Sequence, residues 1–227
     1  EFKSEFSKSL NIVLSAPPGA GKTTRVPIAL LDLEWMTGKK LIMLEPRRLA
    51  ARRAAEYMAA QLGEEAGKTI GYRVRGKTVV SNETRIEVVT EGILTRILQN
   101  EPDLTNIAVI IFDEFHERSI HADLGLALTL DVQENLRSDL RILVMSATLD
   151  GVAIAQLMGN AQTVESKGKS YPVINRYAQF KSEKQIEVRV TETIIRALKD
   201  EDGDILVFLP GHREIRRVEN LLWEKKL

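Results

Sequence analysis

Apolar and polar positions along the chain alternate between two kinds of segment. Short stretches rich in consecutive apolar residues occupy 11–15, 41–44, 69–74, 85–90, 107–112, 141–145 and 204–209. Longer stretches with a helical period lie between them, at 23–36, 48–62, 91–99, 122–137, 186–198 and 214–226. Several of the short runs are apolar throughout, the pattern of parallel strands covered on both faces. Strands alternating with helices predict βαβ units, hence an α/β fold with a mostly parallel sheet flanked by helices. Such sheets hold ligands in the loops that leave the carboxyl ends of their strands.

The pattern breaks at 165–181, a polar stretch rich in Lys and Ser that contains Tyr171-Pro172. It reads as a linker between a first domain at 1–164 and a second segment at 182–227. That segment holds roughly one helix–strand–helix unit, too little to bury a core alone, and is predicted to be the incomplete start of a second domain. With 44% apolar and 28% charged residues in 227, the chain is predicted to fold rather than to be disordered or a coiled coil. The longest apolar run, 107–112, falls far short of the ~20 residues a membrane span requires. A polar amino terminus without a secretory signal predicts a fragment of an intracellular, cytoplasmic protein. The absence of Cys excludes disulfides, thiolate metal sites and Cys nucleophiles. Equal numbers of basic and acidic residues, 32 each, argue against binding polyanions by bulk charge and leave only local clusters to do so.

Chemistry concentrates after two of the strands. The first is followed by Ala16-Pro17-Pro18-Gly19-Ala20-Gly21-Lys22-Thr23-Thr24 and then a helical stretch. This fits the phosphate-binding loop G-x-x-x-x-G-K-[ST], with Ala16 in place of the first Gly. Gly19 and Gly21 let backbone N–H groups curl around phosphate oxygens at the positive end of a helix. Lys22 places a cation at the β- and γ-phosphates, and the Thr23 hydroxyl is a Mg²⁺ ligand. The run 107–112 leads directly into Asp113-Glu114-Phe115-His116. There Asp113 is expected to hold the Mg²⁺ shell, with Glu114 beside it orienting and deprotonating the attacking water. With few His and no Cys a zinc site is not expected, and His121 reads as an ordinary hydrogen-bonding residue.

These motifs, together with Glu45-Pro46-Arg47-Arg48-Leu49-Ala50-Ala51, Gly71-Tyr72-Arg73-Val74-Arg75, Thr90-Glu91-Gly92-Ile93-Leu94-Thr95-Arg96, Ser146-Ala147-Thr148 and Phe208-Leu209-Pro210-Gly211, stand in the order found in superfamily 2 helicases. The chain resembles the DEAH-box group, and its Asp-Glu-Phe-His box resembles the bacterial HrpB-type branch. The resemblance covers almost the whole chain. It implies a RecA-like P-loop NTPase domain plus the start of a second, with ATP and Mg²⁺ as cofactors. The implied activity is ATP-dependent RNA unwinding with 3′-to-5′ movement on a single strand of RNA or DNA, by a monomer. In that family Ser146, Thr148 and His116 belong to a relay from phosphate to strand. Read alone, the Ser-Ala-Thr segment also fits a helix N-cap.

Arg47 and Arg48 open a helix after a strand and suit a nucleic-acid phosphate. Arg52 and Arg53 fit a solvated helix face equally well. Thr90, Gly92 and Arg96 match the family's second strand-gripping motif, in which Gly92 admits a sugar–phosphate to the backbone. Arg73 and Arg75 alternate along a strand and are expected to share a side, facing nucleic acid or solvent. Tyr57 stands where many relatives carry a base-stacking Arg. It either stacks on the nucleobase, with little discrimination among bases, or packs its helix. The family's arginine-finger motif is not found within these residues, so weak turnover by this chain alone is expected. A DNA-directed translocase and a nucleotide-gated binding module remain as alternatives. The Ser-Ala-Thr and Pro-Arg-Arg motifs disfavour a kinase-like phosphotransferase.

Overall fold

The computed structural model describes residues 2–17, 19–147, 151–166, 172–178 and 185–226. The chain divides into two compact units, Glu1–Ser170 and Tyr171–Leu227. In the first, the elements run α1 (Phe2–Lys8), β1 (Asn11–Ser15), α2 (Lys22–Leu30), β2 (Lys40–Leu44), α3 (Arg48–Gln61), β3 (Ile70–Val74) and β4 (Lys77–Val79). They continue with β5 (Ile86–Val89), α4 (Glu91–Asn100), β6 (Ile107–Phe112), α5 (Ile120–Asn135), β7 (Arg141–Ser146), α6 (Gly151–Leu157) and β8 (Gln162–Glu165). The strands form one sheet in the order β4-β3-β5-β2-β6-β7-β1-β8. Every pairing is parallel except that of β3 with β4.

Strand periodicity explains why the central strands are apolar without a break. Ile12, Leu14, Val109 and Ile111 enter one core with Phe6, Leu30, Ala55 and Met58 from α1, α2 and α3. Their neighbours Val13, Ile110 and Phe112 point the opposite way, into a second core with Leu94, Leu98, Leu126 and Ile154 from α4, α5 and α6. Truncating one of these side chains, Ile111→Ala for instance, is expected to cost about 2–5 kcal/mol.

Register sets the working edge. Leu44 pairs with Phe112, Phe112 with Val144, and Ser15 with Ser146. The next residue on β2 is Glu45 and on β6 Asp113, while Ala16 opens the loop leaving β1, so these groups emerge at one end of the sheet.

Two edge strands carry no apolar run to announce them. β4 is three residues long, and β8 reads Gln-Thr-Val-Glu with mostly exposed positions, so both lack a covered second face. The helix expected over 23–36 stops at Leu30, and Glu34–Met36 forms only a 3₁₀ turn that buries Met36. In the second unit, α7 (Ile186–Asp200) and α8 (His212–Glu224) pack around Ile194 and Val218, and Arg217 pairs with the buried Glu187 at 3.0 Å. The strand expected at 204–209 is not formed. Its apolar residues have no ladder partner among the described residues, and Phe208 is 86% exposed. A strand exists only through its neighbour, so propensity alone did not make one. No helix among the described residues is long and apolar enough to cross a membrane.

Candidate functional site

Gly19 and Gly21 both have φ +79°, the left-handed region that a side chain resists, and Gly21 serves as the N-cap of α2. These two turns wrap the loop around the start of the helix. Lys22, buried in this bend, donates from Nζ to the Ala16 carbonyl at 2.5 Å. Gly19, Ala20, Gly21, Lys22, Thr23 and Thr24 line a cleft of about 450 Å³, closed on its other sides by Arg25, Tyr57 and Glu114. Pro18 and Thr148 lie outside the described residues.

Of the acid pair, Glu114 lines the same cleft and Asp113 lies beneath it, beside Thr23 and Lys22. Asp113 is only 3% exposed, and its Oδ1 accepts the Glu114 N–H at 2.9 Å while the buried Oδ2 has no hydrogen-bond partner. Burial raises its pKa to about 6; the nearby Thr23 hydroxyl, the Glu114 amide and the Lys22 charge pull the other way. Lys22, Thr23, Asp113 and Glu114 therefore converge although 90 residues of chain separate the two motifs. Glu114 itself has φ +49°, strained for a non-glycine residue, a feature that clusters at working sites. Phe115 anchors this turn from below, buried edge-on against Phe112 with ring centroids 6.1 Å apart. A small residue there would forgo that anchor.

His116 bridges two motifs. Its Nδ1 accepts the Ala147 backbone N–H at 3.3 Å, and its Nε2 lies 3.4 Å from Glu114 Oε2. A neutral imidazole that accepts at Nδ1 carries its proton on Nε2, so the geometry assigns the tautomer that faces the Glu114 carboxylate. Ser146 is buried at the end of β7, where its carbonyl accepts the Ala16 N–H at 3.1 Å, joining this segment to the phosphate loop.

A third acid, the first residue of the Glu45–Ala51 motif, was given no role by the sequence. Glu45 is 4% exposed, one step past the Leu44–Phe112 pair, and its pKa is pushed up to about 8. Burial is the main cause, followed by the charges of Asp113 and Glu114. Its signal in the sequence was an acid at a strand end, directly before Pro46.

The donor set fits a magnesium ion that arrives with a nucleotide. Asp113 Oδ2 is an orphaned buried oxygen beside the Thr23 hydroxyl. Among the described residues no cluster of three or more His, Cys, Asp or Glu could hold a metal alone. That is the usual arrangement for Mg²⁺, which binds through one or two protein oxygens plus phosphates and water.

Some of the residues assigned to nucleic acid fall around a second groove. Thr90, Gly92 and Arg96 line it with Arg75 and Lys77, enclosing about 790 Å³. A Cβ at Gly92 would meet no atom within 4 Å, so packing does not require glycine there. Arg48 reaches the same rim, donating to the Arg75 carbonyl at 2.6 Å, and Arg47 pairs with Glu117 at 2.7 Å. Arg73 is placed elsewhere. The buried Glu87 holds it at 2.8 Å and also takes Lys40 at 3.0 Å. Because β3 ends at Val74, strand alternation does not carry to Arg75, and the two arginines do not share a side.

Comparison with known proteins agrees with this arrangement. A family model described as DEAD/DEAH box helicase matches residues 3–157. The chain is 48% identical over 211 residues to the ATP-dependent RNA helicase HrpB of Escherichia coli, covering 93% of this chain and 26% of that protein. It is 32% identical to the ATP-dependent RNA helicase HrpA of Borreliella burgdorferi, covering 99% of this chain and 28% of that protein. A crystal structure of the E. coli DEAH/RHA helicase HrpB superposes with a TM-score of 0.90 at 45% identity, over 99% of this chain and 28% of the other. The chain thus spans about a quarter of the length of these relatives.

Proposed function

The chain belongs to the DEAD/DEAH box helicase family, and from that premise we propose that it is the nucleotide-binding portion of an ATP-dependent RNA helicase. In this reading residues 1–164 are the first RecA-like domain, 165–181 the linker and 182–227 the start of a second. The observation that carries it is the meeting of Lys22, Thr23, Asp113 and Glu114 at one sheet edge. Two similar proteins, both named ATP-dependent RNA helicases, support the substrate class.

The amides of the loop from Gly19 to Lys22 and the start of α2 take the terminal phosphates, with Lys22 neutralising their charge and Thr24 completing the cradle. Thr23 and Asp113, with Glu114 beside them, would hold Mg²⁺, which when bound draws charge from the phosphate oxygens. Glu114 accepts the proton of the attacking water. His116 holds that carboxylate and ties it through Ala147 to the segment of Ser146 and Thr148, so the state of the phosphates can reach the strand-binding side. Tyr57, 58% exposed at the cleft mouth, stacks on the nucleobase with little base selectivity. A strong preference for ATP among the four nucleotides would count against that role.

Arg47, Arg48, Thr90, Gly92 and Arg96 hold the backbone of a single strand, which makes affinity salt-dependent and largely indifferent to sequence. Hydrolysis is coupled to 3′-to-5′ translocation and unwinding in the longer protein. The chain alone, lacking the arginine-finger motif, binds nucleotide with weak turnover. The test is an NTPase assay on the full-length protein with and without single-stranded RNA or DNA. Stimulation by RNA is expected. Stimulation by DNA only would make it a DNA translocase, and nucleotide binding without turnover would make it a gated binding module. Glu114→Gln is expected to keep nucleotide binding while lowering turnover about 10²-fold or more; surviving turnover would remove Glu114 from the role of base.

A further inference from the structure

Arg25 belongs to no motif, yet it forms part of the wall of the nucleotide cleft. We propose that Arg25 is a second cation for the phosphate chain, meeting it on the nucleoside side of Lys22. The proposal rests on the nucleotide reading of the cleft and extends it to a residue that reading does not use.

Three observations carry it. Arg25 stands four residues after Gly21 on α2, so the two share a face, and helical side chains lean towards the amino terminus, here the phosphate loop. Its stem does so: Cγ, Cδ and Nε lie 3.5, 3.1 and 3.4 Å from the point where a Cβ on Gly21 would sit. The missing side chain of Gly21 therefore leaves the room that Arg25 occupies. Finally, the charge is not committed internally. Arg47, Arg48, Arg52 and Arg73 each hold a carboxylate or a carbonyl, whereas Arg25 is exposed and has no ion-pair partner among the described residues.

Its place along the phosphates follows from its neighbours. Lys22 and Thr23 act on the Asp113 carboxylate, which fixes the metal end of the chain beside them. Arg25, one turn further along α2 and sharing the cleft mouth with Tyr57, is left with the other end. A contact there is blind to the γ-phosphate and to the identity of the base.

The experiment measures ATP, ADP and GTP binding to the full-length protein by displacement of a fluorescent ADP, for the parent, Arg25→Gln, Arg25→Lys and Lys22→Ala. Arg25→Gln is expected to weaken all three nucleotides equally, by about tenfold, with Arg25→Lys recovering most of the loss. Equal binding by Arg25→Gln and the parent would overturn the proposal. So would a loss confined to ATP, which would place the residue at the γ-phosphate, or one confined to a single base. If the parent does not bind nucleotide, or Lys22→Ala binds as well as the parent, the nucleotide reading itself fails, and that result is distinct from a failure at Arg25 alone.

Discussion

Arg47, at the N-cap of α3, is joined by a 2.7 Å ion pair to Glu117, three residues beyond the Glu114 of the nucleotide cleft. A second tie runs in parallel, from Ser119, the N-cap of α5, to Glu91 in the first turn of α4. The turn that carries the acid pair is thus fastened to the start of α3 and to the start of α4, the helix that lines the basic groove. In the proposed reading, a strand phosphate that takes Arg47 would have to displace Glu117 from the same guanidinium, three residues from Glu114.

Removing the competitor should favour the strand. Glu117→Gln is expected to tighten single-stranded RNA binding by up to about fivefold, the limit set by an exposed pair worth no more than ~1 kcal/mol. Fluorescence anisotropy at fixed salt checks this, and weaker binding by the variant would show that Glu117 presents Arg47 rather than occupying it.

Gly92 separates a packing role from a binding one. Since nothing lies within 4 Å of its Cβ position, Gly92→Ala is expected to leave thermal stability unchanged or raise it, by up to about 1 kcal/mol for a helical position. RNA binding should nevertheless fall, because the methyl group stands where a sugar–phosphate would approach. A variant that binds RNA normally would take the groove out of the interface.

The buried Glu45 makes stability pH-dependent in a direction opposite to the usual salt-bridged acid. Its pKa rises from 4.5 to about 8, so across that window the folded chain keeps a proton that the unfolded chain has lost. Stability therefore declines as pH rises from about 4.5 to about 8. Glu45→Gln cannot ionise and is expected to flatten the decline, giving a higher Tm than the parent near pH 8 and a similar one near pH 5. A constant difference between the two across the range would contradict the assignment.

How much of this was legible beforehand depended on whether a residue's neighbours were local. The central strands declared themselves because burial on both faces demands an unbroken apolar run, as at 107–112. The phosphate loop was equally plain, since Gly19, Gly21, Lys22 and Thr23 act within one turn of chain. What escaped depended on distant partners. Arg73 looked like a free strand arginine until Glu87 was found beneath it, and Glu45 had no visible consequence until register set it next to Asp113. The run 204–209 had the composition of a strand, but its realisation depends on a neighbour that composition cannot reveal. Arg25 was hidden for a simpler reason: its importance comes from the empty Cβ position of Gly21, one turn away.

The convergence of Lys22, Thr23, Asp113 and Glu114 on one magnesium–nucleotide is tested most directly by calorimetric titration of ATP with and without Mg²⁺, comparing the parent with Asp113→Asn. Magnesium should strengthen ATP binding to the parent, and this gain should fade below about pH 6, where a proton occupies the Asp113 carboxyl and competes with the cation. In Asp113→Asn the gain should be largely absent at every pH. An equal magnesium effect in both proteins, independent of pH, would contradict the shared site.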